Sequence, residues 1–149
     1  MKTAADIMTS TVITVTTNTT VQELAKILSE NNISGVPVVD DAGDLLGIVT
    51  ESDLIDQTKK LHIPTVVTIL DSIFYLENPD RMEKEMKKMA GTTVKDIYSS
   101  RPTVVQKDTT LDEIATIMAE KNMHTLPVVQ ENKLLGVIGK RDIIKTLIP

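Results

Sequence analysis

GVPVVDDAGDLLGIVTESDLI, residues 35–55, is written a second time as TLPVVQENKLLGVIGKRDII, residues 125–144. In each copy two apolar, β-branched runs flank a polar turn, DDAG in the first and QEN in the second. That pattern predicts a β-hairpin in each. SDLIDQTKK and RDIIKTLI then read as closing helices. The apolar frame survives between the copies, and so does an acid, Asp53 and then Asp142. The three residues before it are all replaced: Thr50-Glu51-Ser52 becomes Gly139-Lys140-Arg141.

Upstream, residues 5–39 align without a gap on residues 95–129. Asp6 meets Asp96, Thr20 meets Thr110, Glu23 meets Glu113 and Pro37 meets Pro127. TVITV and PTVV predict short strands. TTVQEL and TTLDEI open helices with a capping box, in which the Thr hydroxyl and Glu carboxylate satisfy free backbone N–H groups. Leu24, Ile27 and Leu28, matched by Ile114, Ile117 and Met118, follow at helical spacing. Each copy is therefore a β-α-β-β-α unit of the α+β class. About 50 residues bury too little apolar surface alone, so the two units are expected to pack around a pseudo-twofold axis, creating two related clefts at the seam. The boundaries follow: repeat 1 over 1–60, an insert over 61–91, repeat 2 over 92–149.

The insert predicts an apolar helix after Pro64 and a second helix capped by Asn78, with Pro79 at its first position and Gly91 as its stop. Met82, Met86 and Met89 share one face, which serves either core packing or an adaptable partner surface. Lys84, Lys87 and Lys88 read as a solvated face.

Composition removes several functions. A net charge of −5 argues against broad contact with a phosphate backbone. One Phe, two Tyr and no Trp leave few platforms for stacking bases. No cysteine is present, which excludes disulfides, thiolate zinc sites and a Cys nucleophile. The start, MKTAADIMTS, has no apolar h-region of a secretory signal. No segment is long and apolar enough to span a bilayer. A cytoplasmic protein without nucleic-acid or membrane partners is expected. The 21 carboxylates scatter over turns and helix faces, and no pair is spaced for acid–base work. His62 and His124 stand far apart, so neither a catalytic triad nor a metal site is expected. No Gly spacing matches a P-loop or a dinucleotide fingerprint.

The recurrent acid has two readings. Thr50-Glu51-Ser52-Asp53 is in outline a capping box, and Gly139 with Asp142 fits a helix start as well. Alternatively, a carboxylate accepts two hydrogen bonds from a cis-diol, such as that of a ribose. Strand-to-helix junctions also carry free N–H groups that attract anions. Lys140 and Arg141 add positive charge at the second junction and suit a phosphate, whereas Glu51 at the first repels one.

The DIMT start, the block NNISGVPVVDDAGDLLGIVTESDLI and its second copy make the chain resemble the CBS domain family, in the tandem arrangement called a Bateman module. The resemblance covers nearly everything except the insert. It implies binding of an adenosine ligand (AMP, ADP, ATP or S-adenosylmethionine), with no catalytic role and no required cofactor. It implies regulation of a separate protein and association as a homodimer, for which Phe74 and Tyr75 of the insert are candidate contacts. The family's ribose-binding Ser/Thr and Asp fall on Thr50 and Asp53 in the first copy. In the second they fall on Gly139 and Asp142, so the hydroxyl is missing. By the same resemblance the Asp53 cleft draws on Ser34, Gly35, Met123, His124 and the segment Tyr98 to Thr103. The Asp142 cleft draws on Lys140 and Arg141, on His124, Thr125, Ile33 and Ser34, and on the segment Met8 to Ile13. The competing expectation is a dimerisation or scaffolding module that binds no ligand.

Overall fold

The computed structural model describes residues 1–57 and 92–149. The predicted helices of the insert, its Met face, and Phe74 and Tyr75 lie outside the described residues. In chain order the elements are helix α1 (Ala4–Ile7), α2 (Val21–Asn31), strands β1 (Gly35–Val39) and β2 (Leu45–Thr50), and helix α3 (51–57). After the insert come a 3-10 turn (Val94–Asp96), β3 (Val105–Gln106), α4 (Leu111–Glu120), β4 (Thr125–Gln130), β5 (Lys133–Gly139) and α5 (Lys140–Lys145).

Local chemistry sets these elements. Thr20 caps α2: its Oγ1 accepts from Glu23 N–H at 3.1 Å, while Glu23 Oε2 accepts from Thr20 N–H at 3.2 Å. At the start of α4, Glu113 N–H donates to Thr110 Oγ1 at 3.4 Å. Helix α2 ends where Asn32 turns left-handed, at φ 52°, and Asn122 does the same after α4, at φ 51°. Of the predicted faces, Leu24 and Leu28 on α2 and Ile114 and Met118 on α4 are buried, Ile27 and Ile117 are partly buried against the same cores, and Val21 joins the buried set.

Strands β1 and β2 pair antiparallel with Pro37 opposite Ile48, and β4 and β5 pair likewise with Pro127 opposite Val137. Both hairpins shift register at the same point, between Val38 and Val39 and between Val128 and Val129. The single-residue deletion changes only the turn. In the first copy Gly43 sits at φ 86° and Asp40 Oδ1 accepts from Ala42 and Asp44 N–H. In the second, Glu131 and Asn132 both take positive φ in a two-residue turn.

The predicted leading strands are much shorter than TVITV and PTVV. Val15 makes only an isolated parallel bridge to Val38, and its counterpart Val105 opens the two-residue β3 beside β4. Val15 and Val105 alone of these segments enter the core. Thr11 and Ile13 run instead along a cleft, so the ladder does not extend through them.

The two cores are not the two sequence repeats. The first contains Val15, Leu24, Leu28, Val36, Val38 and Val49 of repeat 1, with Val94 of repeat 2. The second contains Val105, Ile114, Met118, Leu126, Val128 and Ile138 of repeat 2, with Ala4 of repeat 1. Each leading segment thus packs into the other copy's core. Thr9 bridges Val137 and Ser99 bridges Ile48, two equivalent cross-copy pairings. Ala4 N–H donates to Thr109 O at 2.9 Å, and Val94 N–H to Thr19 O at 2.8 Å. Gly47 and Gly136 make this possible. A Cβ on Gly136 would meet Met8 Sδ at 2.7 Å and Thr9 O at 2.8 Å, and one on Gly47 would fall on Ser99 O.

Candidate functional site

The site is built where each hairpin runs into its closing helix. Thr50 N–H donates to Asp53 Oδ2 at 2.9 Å, and Thr50 Oγ1 donates to the same oxygen at 3.2 Å. In the second repeat Gly139 N–H donates to Asp142 Oδ2 at 2.8 Å. Both acids are half-buried caps. The pattern recurs at Thr3–Asp6 and Thr93–Asp96, so capping by itself accounts for an acid at this spacing. Only Oδ2 of Asp53 and Asp142 is engaged among the described residues, which leaves Oδ1 of each as a free acceptor.

Two clefts adjoin at the seam between the repeats. The larger, about 480 Å³, receives Gly139, Lys140, Arg141 and Asp142 from the second junction. His124 and Thr125 line it from the same repeat, and Ile13, Ile33 and Ser34 from the other. The smaller, about 420 Å³, is lined by Thr50, Ser34, Met123 and His124 of the expected set. Both volumes lie in the range of about 300–1,000 Å³ typical of small-molecule sites.

Several expected residues sit elsewhere. Asp53 is not among the residues that line the smaller cleft, although its Oδ2 makes the same contact with its junction backbone as that of Asp142. Gly35 lines the larger cleft instead of the smaller. Tyr98 covers Gly47 in the first core, and Met8 covers Gly136 in the second, so neither lines a cleft. Thr103 Oγ1 accepts from Lys121 Nζ at 3.4 Å and is not among the residues that line either cleft.

Lys145, Asn32 and Asn122 join without having been expected, and Glu51, expected at the first junction, reaches the larger cleft as well. Lys145 lines the larger cleft one helical turn beyond Arg141, a placement that i, i+4 spacing signals. Asn32 enters the larger cleft and Asn122 the smaller, both at left-handed helix ends. Glu51 lines both. Among the described residues, no group of three or more His, Asp or Glu is placed to hold a metal ion, and no helix is long and apolar enough to cross a membrane.

The cross-packed repeats with clefts at their seam define a CBS pair. The CBS domain model matches residues 4–60 and 94–149, and the chain belongs to this family. Among its relatives, protein MJ1426 of Methanocaldococcus jannaschii is 30% identical over 135 residues, 85% of this chain and 80% of that protein. The chloroplastic CBS domain-containing protein CBSX1 of Arabidopsis thaliana is 32% identical over 136 residues, 85% of this chain but 55% of that protein. Among solved structures, that of CBSX2 in complex with AMP superposes with a TM-score of 0.74 at 26% identity, covering 99% of this chain and 97% of that one.

Proposed function

We propose that this chain is a regulatory module that senses energy state or a metabolite. It binds an adenosine ligand (AMP, ADP, ATP or S-adenosylmethionine) between its CBS repeats and reports occupancy to a separate partner protein. The observation that carries this reading is the larger cleft. It presents a half-buried carboxylate with a free oxygen, Asp142, beside three basic side chains, Lys140, Arg141 and Lys145. A carboxylate suits a ribose diol and the cations suit a phosphate. The AMP complex of CBSX2, a structure of the same fold, supports the ligand class.

A ligand in this cleft touches Ile13 and Ser34 of one repeat and His124 and Asp142 of the other. It shifts their relative placement to the extent that it binds one arrangement more tightly. Self-association as a homodimer completes the proposal. Ile55 and Ile144 occupy equivalent positions on α3 and α5 and are 63% and 57% exposed. A pseudo-symmetric apolar pair of this kind suits an isologous interface with a second copy.

Those isoleucines, with exposed Leu147 and Ile148, also favour a second reading, a ligand-free dimerisation module. Calorimetric titration with AMP, ADP, ATP and S-adenosylmethionine decides between them. Saturable binding of at least one supports the sensor. Flat heats with all four, from a protein that is dimeric by light scattering, support the scaffold.

A further inference from the structure

The two clefts share a wall. Ser34, Glu51, His124 and Thr125 line both. Glu51 and Lys140 hold the same position in the two repeats, directly after Thr50 and Gly139. One position therefore delivers an anion to the common wall and a cation to the larger cleft alone. Lys140, Arg141 and Lys145 line the larger cleft together with the acids Asp142 and Glu51, leaving an excess of positive charge. In the smaller cleft Glu51 is the charged lining residue among those described, with His124 the one titratable base.

We propose that Glu51 is a specificity-determining residue for both clefts at once and restricts the chain to a single phosphorylated ligand. The inference rests on the nucleotide-binding reading above. A phosphate enters the larger cleft because the three cations outweigh Glu51. It is excluded from the smaller cleft, where Glu51 has no cationic counterweight. The rule is then enforced twice. A nucleotide bound in the larger cleft adds its own negative charge beside the wall that the smaller cleft shares, where screening acts over about 8 Å at physiological salt. The smaller cleft is left to an adenosine ligand with no phosphate, neutral or cationic.

The test counts ligands. Equilibrium dialysis of the full chain should find one AMP per chain, and adenosine should still bind to protein saturated with AMP. Glu51 is exposed, so Glu51→Gln leaves the core untouched. That variant should bind a second AMP and hold the first about fivefold more tightly, the size expected of one partly screened charge pair. Two AMP molecules bound with equal affinity by the wild type overturn the inference while leaving the nucleotide reading intact. So does a Glu51→Gln variant with unchanged stoichiometry and affinity. Failure of both proteins to bind either AMP or adenosine overturns both.

Discussion

Lys133 Nζ lies 2.7 Å from Asp44 Oδ1, and the two residues occupy the same position in the two repeats. The contact ties one hairpin turn to the other. Beside it Leu45 N–H donates to Asn132 O at 2.9 Å and Lys133 Nζ donates to Ala42 O at 2.7 Å. A perfect duplicate would set like charges against each other at the pseudo-twofold axis. Divergence at this one position turns the clash into an attraction and gives the seam a fixed register.

The pair is partly exposed, so its strength should be modest, up to about 1 kcal/mol. A double-mutant cycle on Asp44→Ala and Lys133→Ala, followed by urea denaturation, should return a coupling of that size, diminishing in high salt. Lys133→Glu should cost more than Lys133→Ala, because it restores the like-charge contact.

Gly47 and Gly136 should each reject a methyl group. Alanine there collides with the leading segment of the opposite copy. Overpacking of this kind costs about 1–3 kcal/mol. Gly47→Ala should be the worse of the two, since it meets the Ser99 carbonyl and the Tyr98 ring, whereas Gly136→Ala meets a flexible Met8 as well as Thr9 O. The midpoint of thermal unfolding reads the order.

Asp142 has a structural and a proposed ligand role, and two substitutions separate them. Asp142→Asn keeps an oxygen for the Gly139 N–H and should stay near wild-type stability, while Asp142→Ala should lose about 0.5–2 kcal/mol as a cap is removed. Both should weaken AMP by about 10- to 100-fold, the range of a hydrogen bond to a charged acceptor. Wild-type affinity in Asp142→Asn would show that the carboxylate is a cap and nothing more.

The Thr3–Asp6 cap anchors the segment that crosses into the second core. The Thr3 N–H, and after it the Thr3 hydroxyl, hold the Asp6 carboxyl below its ordinary value of 3.8. A lowered folded-state value means the stabilisation is present above the unfolded value and is lost as pH falls through the folded one. Wild type should therefore exceed Asp6→Ala in stability at neutral pH by more than it does after acidification below about pH 4, as denaturation midpoints across that range would show.

Ile55→Glu with Ile144→Glu should yield a monomer by light scattering without loss of secondary structure, since both side chains are largely exposed in the single chain. A dimer that persists in the double variant would move the interface elsewhere.

Much of this was legible in the chain itself. The duplication, both hairpins, the Thr20 and Thr110 caps, the buried faces of α2 and α4 and the recurrent junction acids are patterns among residues a few positions apart. Caps, turns and periodicity are local physics, and local physics is written locally. Lys140 and Arg141 could be placed beside Asp142 for the same reason.

What the tertiary structure alone decided is which copy completes which core, and therefore what the clefts contain. Ala4 and Val94 hold equivalent positions in the two copies, and each completes the core of the other copy. No periodicity distinguishes a leading segment folded onto its own repeat from one laid across the other. That choice came from long-range packing over Gly47 and Gly136. It drew Met8 and Tyr98 into the cores and set Glu51 in a wall common to both clefts, because residues far apart in the chain interact only once packing has fixed which surfaces meet.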